Sequence, residues 1–281
     1  MTGRTVESVL GPGDPAPFAV INAAGKSPFL IIGDHAGSAV PQRLQSLGLQ
    51  LDDLRRHIAI DIGVQGLGEV LARLLDAPFV HQAYSRLVVD CNRLPVRPDA
   101  IPEFSDGTAI PGNWHLSERA RTARTAAIHG PYHAAIATLL DARRTAGEQT
   151  ILLSLHSFTP KLNGVTRPWD AGVLHGSGRN DFARGLRDAL GEQAGLIVGD
   201  NEPYAMDETD YTVPIHAFPR NLPYAEIEVR QDLIRDLSGQ KAWAMNLAEA
   251  ARRAAGISSI RADLAQETPA RGHERIWRSR A

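Results

Sequence analysis

The sequence has little of several features that define large classes of protein. One cysteine among 281 residues excludes an intramolecular disulfide framework. A balance of 30 basic and 32 acidic residues gives a net charge of −2, so no strongly basic surface is expected for nucleic acid or an anionic membrane. No apolar run approaches the ~20 residues that a membrane-spanning helix requires. We therefore expect a globular protein with a small-molecule partner, with no nucleic-acid or membrane partner, and the oligomeric state stays open.

The N-terminus also lacks the marks of a secretory signal. The stretch "MTGRTVESVLGPGDPAPF" has neither a basic start nor an unbroken apolar core, so we expect a cytoplasmic protein. A chain of this length can form one compact α/β unit. We predict a single catalytic domain over residues 1–281, with a loosely held polar and basic tail from about residue 267.

Short apolar runs rich in β-branched residues alternate with segments that carry apolar residues at three- and four-residue spacing. Several runs are almost continuously apolar, which is typical of strands covered on both faces. The pattern predicts an α/β fold with a central sheet. The predicted strands are 29–34, 79–82, 86–91, 150–155, 171–176, 195–200 and 224–230, and the predicted helices are 66–77, 117–144, 181–191 and 242–255. Within the long helix, we expect Ser117 to cap the start and Pro131 to kink or split the chain.

Histidines follow two of the apolar runs. "FLIIGDHAGSAVP" leads into His35, and "TILLSLHSFTP" leads into His156. Ligands of open α/β sheets collect at the carboxyl ends of strands, so neighbouring strands would bring these imidazoles to one ion. Imidazole is a preferred ligand of zinc, and a catalytic zinc usually has three protein ligands. The alternative is that each histidine only caps a loop by hydrogen bonding.

A third ligand is sought in "HIAIDIGVQGL", where His57 and Asp61 lie four residues apart. On a helix the two would share a face, but Gly63 and Gly66 argue against a regular helix through this stretch. Isoleucine flanks Asp61 on both sides, and a buried carboxylate needs a cation or hydrogen-bond donors. We prefer Asp61 to His57 as the metal ligand, with a structural role for both as the remaining possibility.

Charged residues alternate along the strand predicted at 224–230. Glu226, Glu228 and Arg230 share one face of "AEIEVR", and apolar residues form the other. A carboxylate on this face is a candidate general base for activating a water molecule. The alternative is a ladder of Glu–Arg pairs at the edge of the sheet.

Two arginines bracket the apolar run of "YSRLVVDCNR". Arg86 and Arg93 lie at the two ends of the strand predicted there. Each is a candidate binder of a negative group, and the alternative is a structural ion pair. The neighbouring Cys91 has no paired base in the sequence and is interpreted as a small buried apolar residue.

Six segments in this order, "LIIGDHAGSAVP", "HIAIDIGVQGL", "YSRLVVDCNR", "LHSFTP", "NEPY" and "AEIEVRQDL", resemble the N-formylglutamate amidohydrolase family over most of residues 28–235. That family is similar in fold to zinc carboxypeptidases and aspartoacylases. The resemblance implies a mixed, largely parallel sheet of the zinc-exopeptidase type, one Zn²⁺ per chain at the strand ends, and cleavage of an amide beside a free carboxylate. It would place the chain in amino-acid metabolism, such as histidine degradation.

The resemblance also implies roles for single residues. Asn92 and Arg93 look like the pair that holds the substrate carboxylate in these relatives, and Arg86 is similar to the arginine that stabilises the oxyanion. The metal ligands would be His35, Asp61 and His156, and Glu228 would transfer the proton, with Glu226 as its alternative. One departure is that Ser38 stands where the relatives carry the glutamate of a His-x-x-Glu ligand pair.

The expected function is therefore a zinc-dependent amidohydrolase that acts on an N-formyl or other N-acyl amino acid, such as N-formylglutamate. Two alternatives stay open. One is a related zinc hydrolase for another carboxylate-bearing amide, such as a peptide or an acyl-aspartate. The other is a metal-free module that only binds carboxylates.

Overall fold

A seven-stranded sheet forms the centre of the fold in a computed structural model that describes residues 8–256. Helices cover both of its faces, and two small hairpins lie outside it. The strands are β1 (Phe18–Ile21), β2 (Phe29–Gly33), β3 (Phe79–Gln82), β4 (Phe104–Ser105), β5 (Thr108–Ala109), β6 (Ile151–Phe158), β7 (Lys161–Leu162), β8 (Val165–Thr166), β9 (Ala171–Leu174), β10 (Val198–Asp200) and β11 (Tyr224–Arg230). The helices are α1 (Val64–Leu75), α2 (Glu118–Arg124), α3 (Gly130–Thr145), α4 (Asp181–Gly191), α5 (Thr212–His216) and α6 (Leu237–Ala254).

The strand order in the sheet is β1-β3-β2-β6-β11-β9-β10. Neighbours run parallel except at β1–β3 and at β11–β9, which are antiparallel. The prediction of a central, mixed and largely parallel sheet in a single α/β domain is confirmed. Because β2, β6 and β11 are parallel neighbours, their carboxyl ends open at the same edge of the sheet.

Both faces of the central strands are buried, which explains their continuous apolar sequence. In β2, Phe29 and Ile31 face a core formed with α1, α4 and α6, whereas Leu30 and Ile32 face a second core beneath α3. The strand therefore has no solvent-facing side, and period-two alternation is absent from its sequence.

The predicted strand at 86–91 is wrong, because this stretch is a buried turn. Several of its N–H groups bind backbone carbonyls outside the sheet, and two of its carbonyl groups bind side chains from distant parts of the chain, instead of pairing with a neighbouring strand. Asn113 donates its side-chain amide to the carbonyl oxygen of Leu87 at 2.9 Å, and the Arg124 guanidinium donates to that of Val88 at 3.1 Å. The apolar side chains are still buried, so the turn has the composition of a core strand without its hydrogen-bond ladder.

The long predicted helix is present, and the structure shows how it accommodates Pro131. Ser117 caps α2 as predicted, because its side chain accepts a hydrogen bond from the backbone N–H of Ala120. Between α2 and α3 the chain makes a wider π-helical turn, Thr125–His129, just before the proline. The proline removes a backbone donor, and the widened turn keeps the two helices continuous instead of splitting them.

The short hairpins β4–β5 and β7–β8 and the short helix α5 were not predicted, and the remaining differences lie at element ends and edges. The edge strand β1 was not predicted, and β6 extends past its predicted end so that His156 lies inside the strand. The tail predicted from about residue 267 lies outside the described residues. Within residues 8–256, none of the helices has both the length and the apolar character needed to cross a membrane.

Candidate active site

Two histidines and an aspartate meet at the carboxyl ends of β2 and β6. His35 follows β2, His156 lies near the end of β6, and their ring centroids are 4.9 Å apart. Oδ2 of Asp61 lies 3.4 Å from Nδ1 of His35 and 3.0 Å from Nδ1 of His156. All three side chains are buried, and one ligand atom from each lies within 4.8 Å of the others. The structure thus brings together the three residues predicted as metal ligands.

Local backbone features deliver Asp61 to this cluster. The N–H of Asp61 donates to the carbonyl oxygen of His35 at 3.0 Å, which ties the loop to the end of β2. Gly63 then turns the chain into α1 with a φ of +86°, and a Cβ there would meet the carbonyl oxygen of Ile234 at 2.1 Å. Only glycine accommodates both the positive φ and this close approach. The irregular start expected from Gly63 is therefore observed.

The outer nitrogens of both imidazoles are held by further polar groups. Nε2 of His35 lies 2.7 Å from Oδ1 of Asp90, and Nε2 of His156 lies 3.5 Å from Oδ2 of Asp34 and 3.2 Å from Oγ of Ser154. These contacts leave the two Nδ1 atoms directed at Asp61. Carboxylates behind ligand histidines fix the ring orientation and raise the basicity of the metal-binding nitrogen.

The donor set fits zinc. Two imidazole nitrogens and one carboxylate oxygen form one of the ligand combinations found in catalytic zinc sites. Nδ1 of His35 faces the cluster, is buried and makes no hydrogen bond within residues 8–256, as expected of an atom that binds a cation. His57, the alternative to Asp61, does not join the cluster, because its Nε2 lies 3.4 Å from Oδ2 of Asp106.

The charges of the cluster stabilise each other strongly. Burial acts to raise the pKa of Asp61, but the imidazoles of His35 and His156 outweigh burial and lower that pKa well below its ordinary value. Burial acts to lower the pKa of His156, but the carboxylates of Asp34 and Asp61 raise it well above its ordinary value. The cluster therefore holds closely spaced positive and negative groups in the absence of solvent.

A cavity of about 350 Å³ opens beside the cluster. It is lined mainly by polar and charged side chains, and it includes every residue that the sequence proposed for the site. These lining residues are His35, His57, Asp61, Arg86, Asn92, Arg93, His156, Ser157, Phe158, Thr159, Leu174, Tyr204, Ala205, Asp207, Thr209, Asp210, Glu226 and Glu228.

Arg86 extends from the buried turn toward the metal-ligand candidates. Its Nε and Nη2 donate to Oδ2 of Asp90 at 3.1 and 2.8 Å, and its Nη1 donates to Oδ1 of Asp61 at 3.4 Å. Burial acts to lower the pKa of Arg86, but the carboxylates of Asp90 and Asp61 more than offset it and raise the pKa. A permanent positive charge is therefore fixed between Asp61 and the cavity.

Asn92 and Arg93 follow on the same turn. The side-chain carbonyl of Asn92 accepts from the backbone N–H groups of Tyr211 and Thr212 at 3.0 and 2.9 Å, so this end of the side chain has a structural task. Its amide nitrogen lies 3.4 Å from Oδ1 of Asp210 at the cavity wall. Asn92 therefore has only its donor end available to a ligand.

Two nitrogens of the Arg93 guanidinium contact other groups of the protein. Its Nη1 donates to the carbonyl oxygens of Asn92 and Thr209 at 2.8 and 3.2 Å, and its Nε lies 3.5 Å from Oδ2 of Asp99. Within the described part of the chain, Nη2 makes no hydrogen bond and remains available to a ligand.

Glu226 and Glu228 project from β11 into the same cavity. Glu228 lies opposite His156 in the parallel β6–β11 register, and both glutamates are buried. Burial, together with the charge of Asp61, raises the pKa of Glu228 to about 7. Burial and the charge of Asp210 raise the pKa of Glu226 to about 8. Both carboxyl groups therefore bind protons more tightly than an exposed glutamate does.

A further arginine lies behind the cavity wall. Arg167 is only 9% exposed, and its guanidinium lies between the rings of Phe158 and Tyr204, at 5.8 and 4.7 Å from their centroids. Its Nη1 donates to the hydroxyl of Tyr204 at 2.9 Å and to the carbonyl oxygen of Thr159 at 3.4 Å. Among residues 8–256, no carboxylate forms an ion pair with it.

Sequence reasoning missed the residues that support the predicted ones. Asp34 and Asp90 stand behind the two histidines, and Arg167 and Tyr204 stand at the cavity wall. A signal was present for the two aspartates, because each interrupts or ends an apolar run and so needs buried partners. Arg167 gave no such signal, because its aromatic neighbours, Phe158 at the end of β6 and Tyr204 in a later loop, are distant from each other in the sequence.

Comparison with known proteins identifies the family of the chain. A sequence model of the N-formylglutamate amidohydrolase family matches residues 27–235. The gene product Atu2144 from Agrobacterium tumefaciens is similar in structure, with 36% sequence identity and a TM-score of 0.85 over 88% of this chain and 98% of that one.

A second solved structure, N-formylglutamate amidohydrolase from Ralstonia eutropha JMP134, shares the fold. It has 20% sequence identity and a TM-score of 0.62 over 86% of this chain and 98% of that one. No curated protein matches the chain. Since the family match covers well over half of the sequence, the chain belongs to the N-formylglutamate amidohydrolase family of hydrolases.

Proposed function

We propose that the protein is a zinc-dependent amidohydrolase that cleaves the amide of an N-formyl or other small N-acyl amino acid. The observation that carries this proposal is the buried His35–Asp61–His156 cluster, which opens into the same cavity as Arg86 and Glu228. A metal site, a fixed cation and a buried carboxylate together can activate water, stabilise a developing oxyanion and transfer a proton during hydrolysis of an amide.

His35, Asp61 and His156 would hold the zinc through Nδ1, a carboxylate oxygen and Nδ1, with Asp90 and Asp34 keeping the rings in place. When bound there, zinc supplies Lewis-acid chemistry, polarising a carbonyl group and making a water molecule more acidic. The three ligands leave the cavity side of the cluster open to substrate.

Glu228 is the proposed general base. It takes a proton from the attacking water at its carboxylate and returns a proton to the leaving amine, which departs as the free amino acid. Its Oε2 is buried and makes no hydrogen bond within the described residues, so it is free to accept that proton. The pKa of about 7 suits a group that must both accept and release a proton near neutral pH. Glu226 remains the alternative because it faces the same cavity.

The two cations on the turn divide two tasks. Arg86 lies beside Asp61, where the acyl oxygen becomes negative, and its Nη1 edge would stabilise that charge. Arg93 lies farther along the turn, where its free Nη2 and the amide nitrogen of Asn92 would bind the α-carboxylate of the substrate.

Arg167 supports an acidic amino acid as the leaving group. A buried guanidinium without a carboxylate partner in residues 8–256 is an unbalanced charge beside the cavity. A second carboxylate on the substrate, as in N-formylglutamate, would balance it through the hydroxyl of Tyr204. Arg167→Met should therefore lose the preference for N-formylglutamate over N-formylnorvaline, and an unchanged preference would remove Arg167 from this role.

A metal assay combined with a substrate panel tests the proposed function. We expect about one zinc per chain and turnover of N-formylglutamate faster than of N-acetylglutamate or N-formylglutamate α-amide. Zinc with turnover only of a dipeptide or an acyl-aspartate would favour a related hydrolase. Protein that binds N-formylglutamate without zinc and without turnover would favour a carboxylate-binding module.

A further inference from the structure

The backbone carbonyl groups of residues 91–93 are each bound by a side chain. The carbonyl oxygen of Cys91 lies 2.9 Å from Nε2 of His133, that of Asn92 accepts from Arg93 at 2.8 Å, and that of Arg93 lies 3.1 Å from Nε2 of His129. Because this stretch is a turn without strand pairing, these contacts replace a ladder of backbone hydrogen bonds. Two imidazoles thus fix the carbonyls on either side of Asn92.

Both imidazoles come from one face of the long helix. His129 ends the π-helical turn and His133 lies four residues later, so their side chains point the same way. Their ring centroids are 4.3 Å apart, and both residues are buried. π-Helical turns cost stability and are often found at functional sites. Here the π-helical turn ends at His129, and the first turn of α3 carries His133, so the two rings reach carbonyls two residues apart.

A third histidine, His216, determines which ring nitrogen of His133 carries the proton. Since a carbonyl oxygen can only accept, His133 must donate from Nε2 to Cys91, which leaves its Nδ1 as an acceptor. Nε2 of His216 lies 3.0 Å from that Nδ1 and must donate to it. The rings of His133 and His216 stack with an interplanar angle of 21°. His216 therefore holds His133 in the tautomer that binds the turn.

We propose that His129 and His133 are positioning residues that hold Asn92 and Arg93 in place to bind the substrate carboxylate. This inference rests on the role of Arg93 in the proposed function. Neither histidine lines the cavity, so each acts only through the turn. A shift of the turn would misplace the Arg93 guanidinium relative to a carboxylate held at a fixed distance from the metal cluster. Small errors of placement of this kind are costly in bound complexes.

The test compares Phe and Gln at both positions. His129→Phe and His133→Phe keep a ring but remove the donor, whereas His129→Gln and His133→Gln keep a donor near the position of Nε2. The Phe variants should raise KM for N-formylglutamate about tenfold or more, with kcat changed less than about twofold and zinc content unchanged. The Gln variants should restore most of the affinity. His81→Phe is the matched control, since this buried histidine contacts the carbonyl of Gln82 and not the turn.

The α-amide of N-formylglutamate separates positioning from general damage. Its KM should not change in the Phe variants, because the amide offers no carboxylate to Arg93. Equal KM increases for acid and amide, loss of zinc, or an unchanged KM for the acid would overturn the inference. If His133→Phe does not fold, His129→Phe alone decides, since it removes only the donor to Arg93. Wild-type protein that treats acid and amide alike would instead contradict the proposed function itself.

Discussion

The His35–Asp61–His156 cluster and the turn that carries Arg86 and Arg93 line one cavity and are built in different ways. The cluster lies at the ends of β2 and β6, whose backbones are fixed by pairing with neighbouring strands. The turn that carries Arg86 and Arg93 has no such pairing and is held by side chains from the loop at Asn113 and the long helix. Strand pairing fixes the backbone at His156, and the hydrogen bond from the N–H of Asp61 to the carbonyl oxygen of His35 joins the other two residues of the cluster. The two arginines depend instead on single side-chain contacts that substitutions can remove one at a time.

Asp90 joins the cluster and the turn. Its Oδ1 lies 2.7 Å from Nε2 of His35 and accepts from the backbone N–H of Asn92 at 2.8 Å, while its Oδ2 binds Arg86. Burial acts to raise the pKa of Asp90, but Arg86 and His35 lower it well below its ordinary value. The residue is thus a permanent anion on which one metal ligand and both functional parts of the turn converge.

The largest loss of turnover is expected from a substitution on strand β11. Glu228→Gln keeps size and hydrogen bonding but cannot accept a proton, so turnover should fall by roughly 10²–10⁴-fold with zinc content unchanged. Glu226→Gln is the matched control on the same strand, two residues away. Steady-state kinetics with N-formylglutamate measures both. A smaller loss in Glu228→Gln than in Glu226→Gln would transfer the proton-transfer role to Glu226.

Arg86→Lys tests the turn. Lysine keeps the charge but cannot reproduce the guanidinium fork that binds Asp90 and faces the acyl oxygen, so kcat should fall by roughly 10²–10³-fold with a smaller change in KM. Arg230→Lys, at the end of β11 and paired with Asp170, is the control. A change in KM alone would mean that Arg86 binds the ground state and does not stabilise the transition state.

Asp90→Asn should weaken both zinc binding and substrate binding, each by a smaller factor than the losses of turnover above. Loss of the carboxylate behind His35 should weaken zinc binding by about 10- to 100-fold, the range seen when such supporting groups are removed. KM for N-formylglutamate should also rise, because Asn92 loses an anionic acceptor for its N–H. Competition with a chelator measures the zinc affinity. A variant that changes only one of the two properties would show that Asp90 does not couple the cluster and the turn.

The smallest expected effect is on the pH dependence of folding stability, which involves two buried histidines near the turn. Burial lowers the pKa of His133 to about 3, and burial together with Arg220 lowers that of His216 to about 4, despite the opposing charges of Asp34 and Asp141. In the unfolded chain these groups bind protons below about pH 6.5, so folding stability falls as pH drops from there toward 4.

His216→Gln removes one of these groups. The decrease in unfolding free energy between pH 7 and pH 5 should therefore be smaller in the variant, by about 2 kcal/mol at most. Urea unfolding of the metal-free proteins at both pH values measures the difference. The same pH dependence in both proteins would mean that His216 is already protonated in the folded state.

The same difference between the paired strands and the turn explains which features can be predicted from the sequence. The strands β2, β6 and β11 can be predicted from local composition, and the parallel order of neighbouring strands accounts for the meeting of His35 with His156. Asp61 lies on a loop, so its sequence context only favours it over His57. The turn was mistaken for a strand because Leu87, Val88 and Val89 have a strand's composition and are buried like one. Its true conformation depends on Asn113 and Arg124, whose contacts with it are set by tertiary structure and leave no local pattern.

Measurement of zinc content tests most directly whether His35, Asp61 and His156 bind zinc. Elemental analysis of purified protein should give about one zinc per chain, and His156→Ala should lose most of it together with turnover of N-formylglutamate. His175→Ala, at the end of β9 and paired with Asp200, should keep both. Full zinc content in His156→Ala, or wild-type turnover by protein stripped of zinc, would contradict the account.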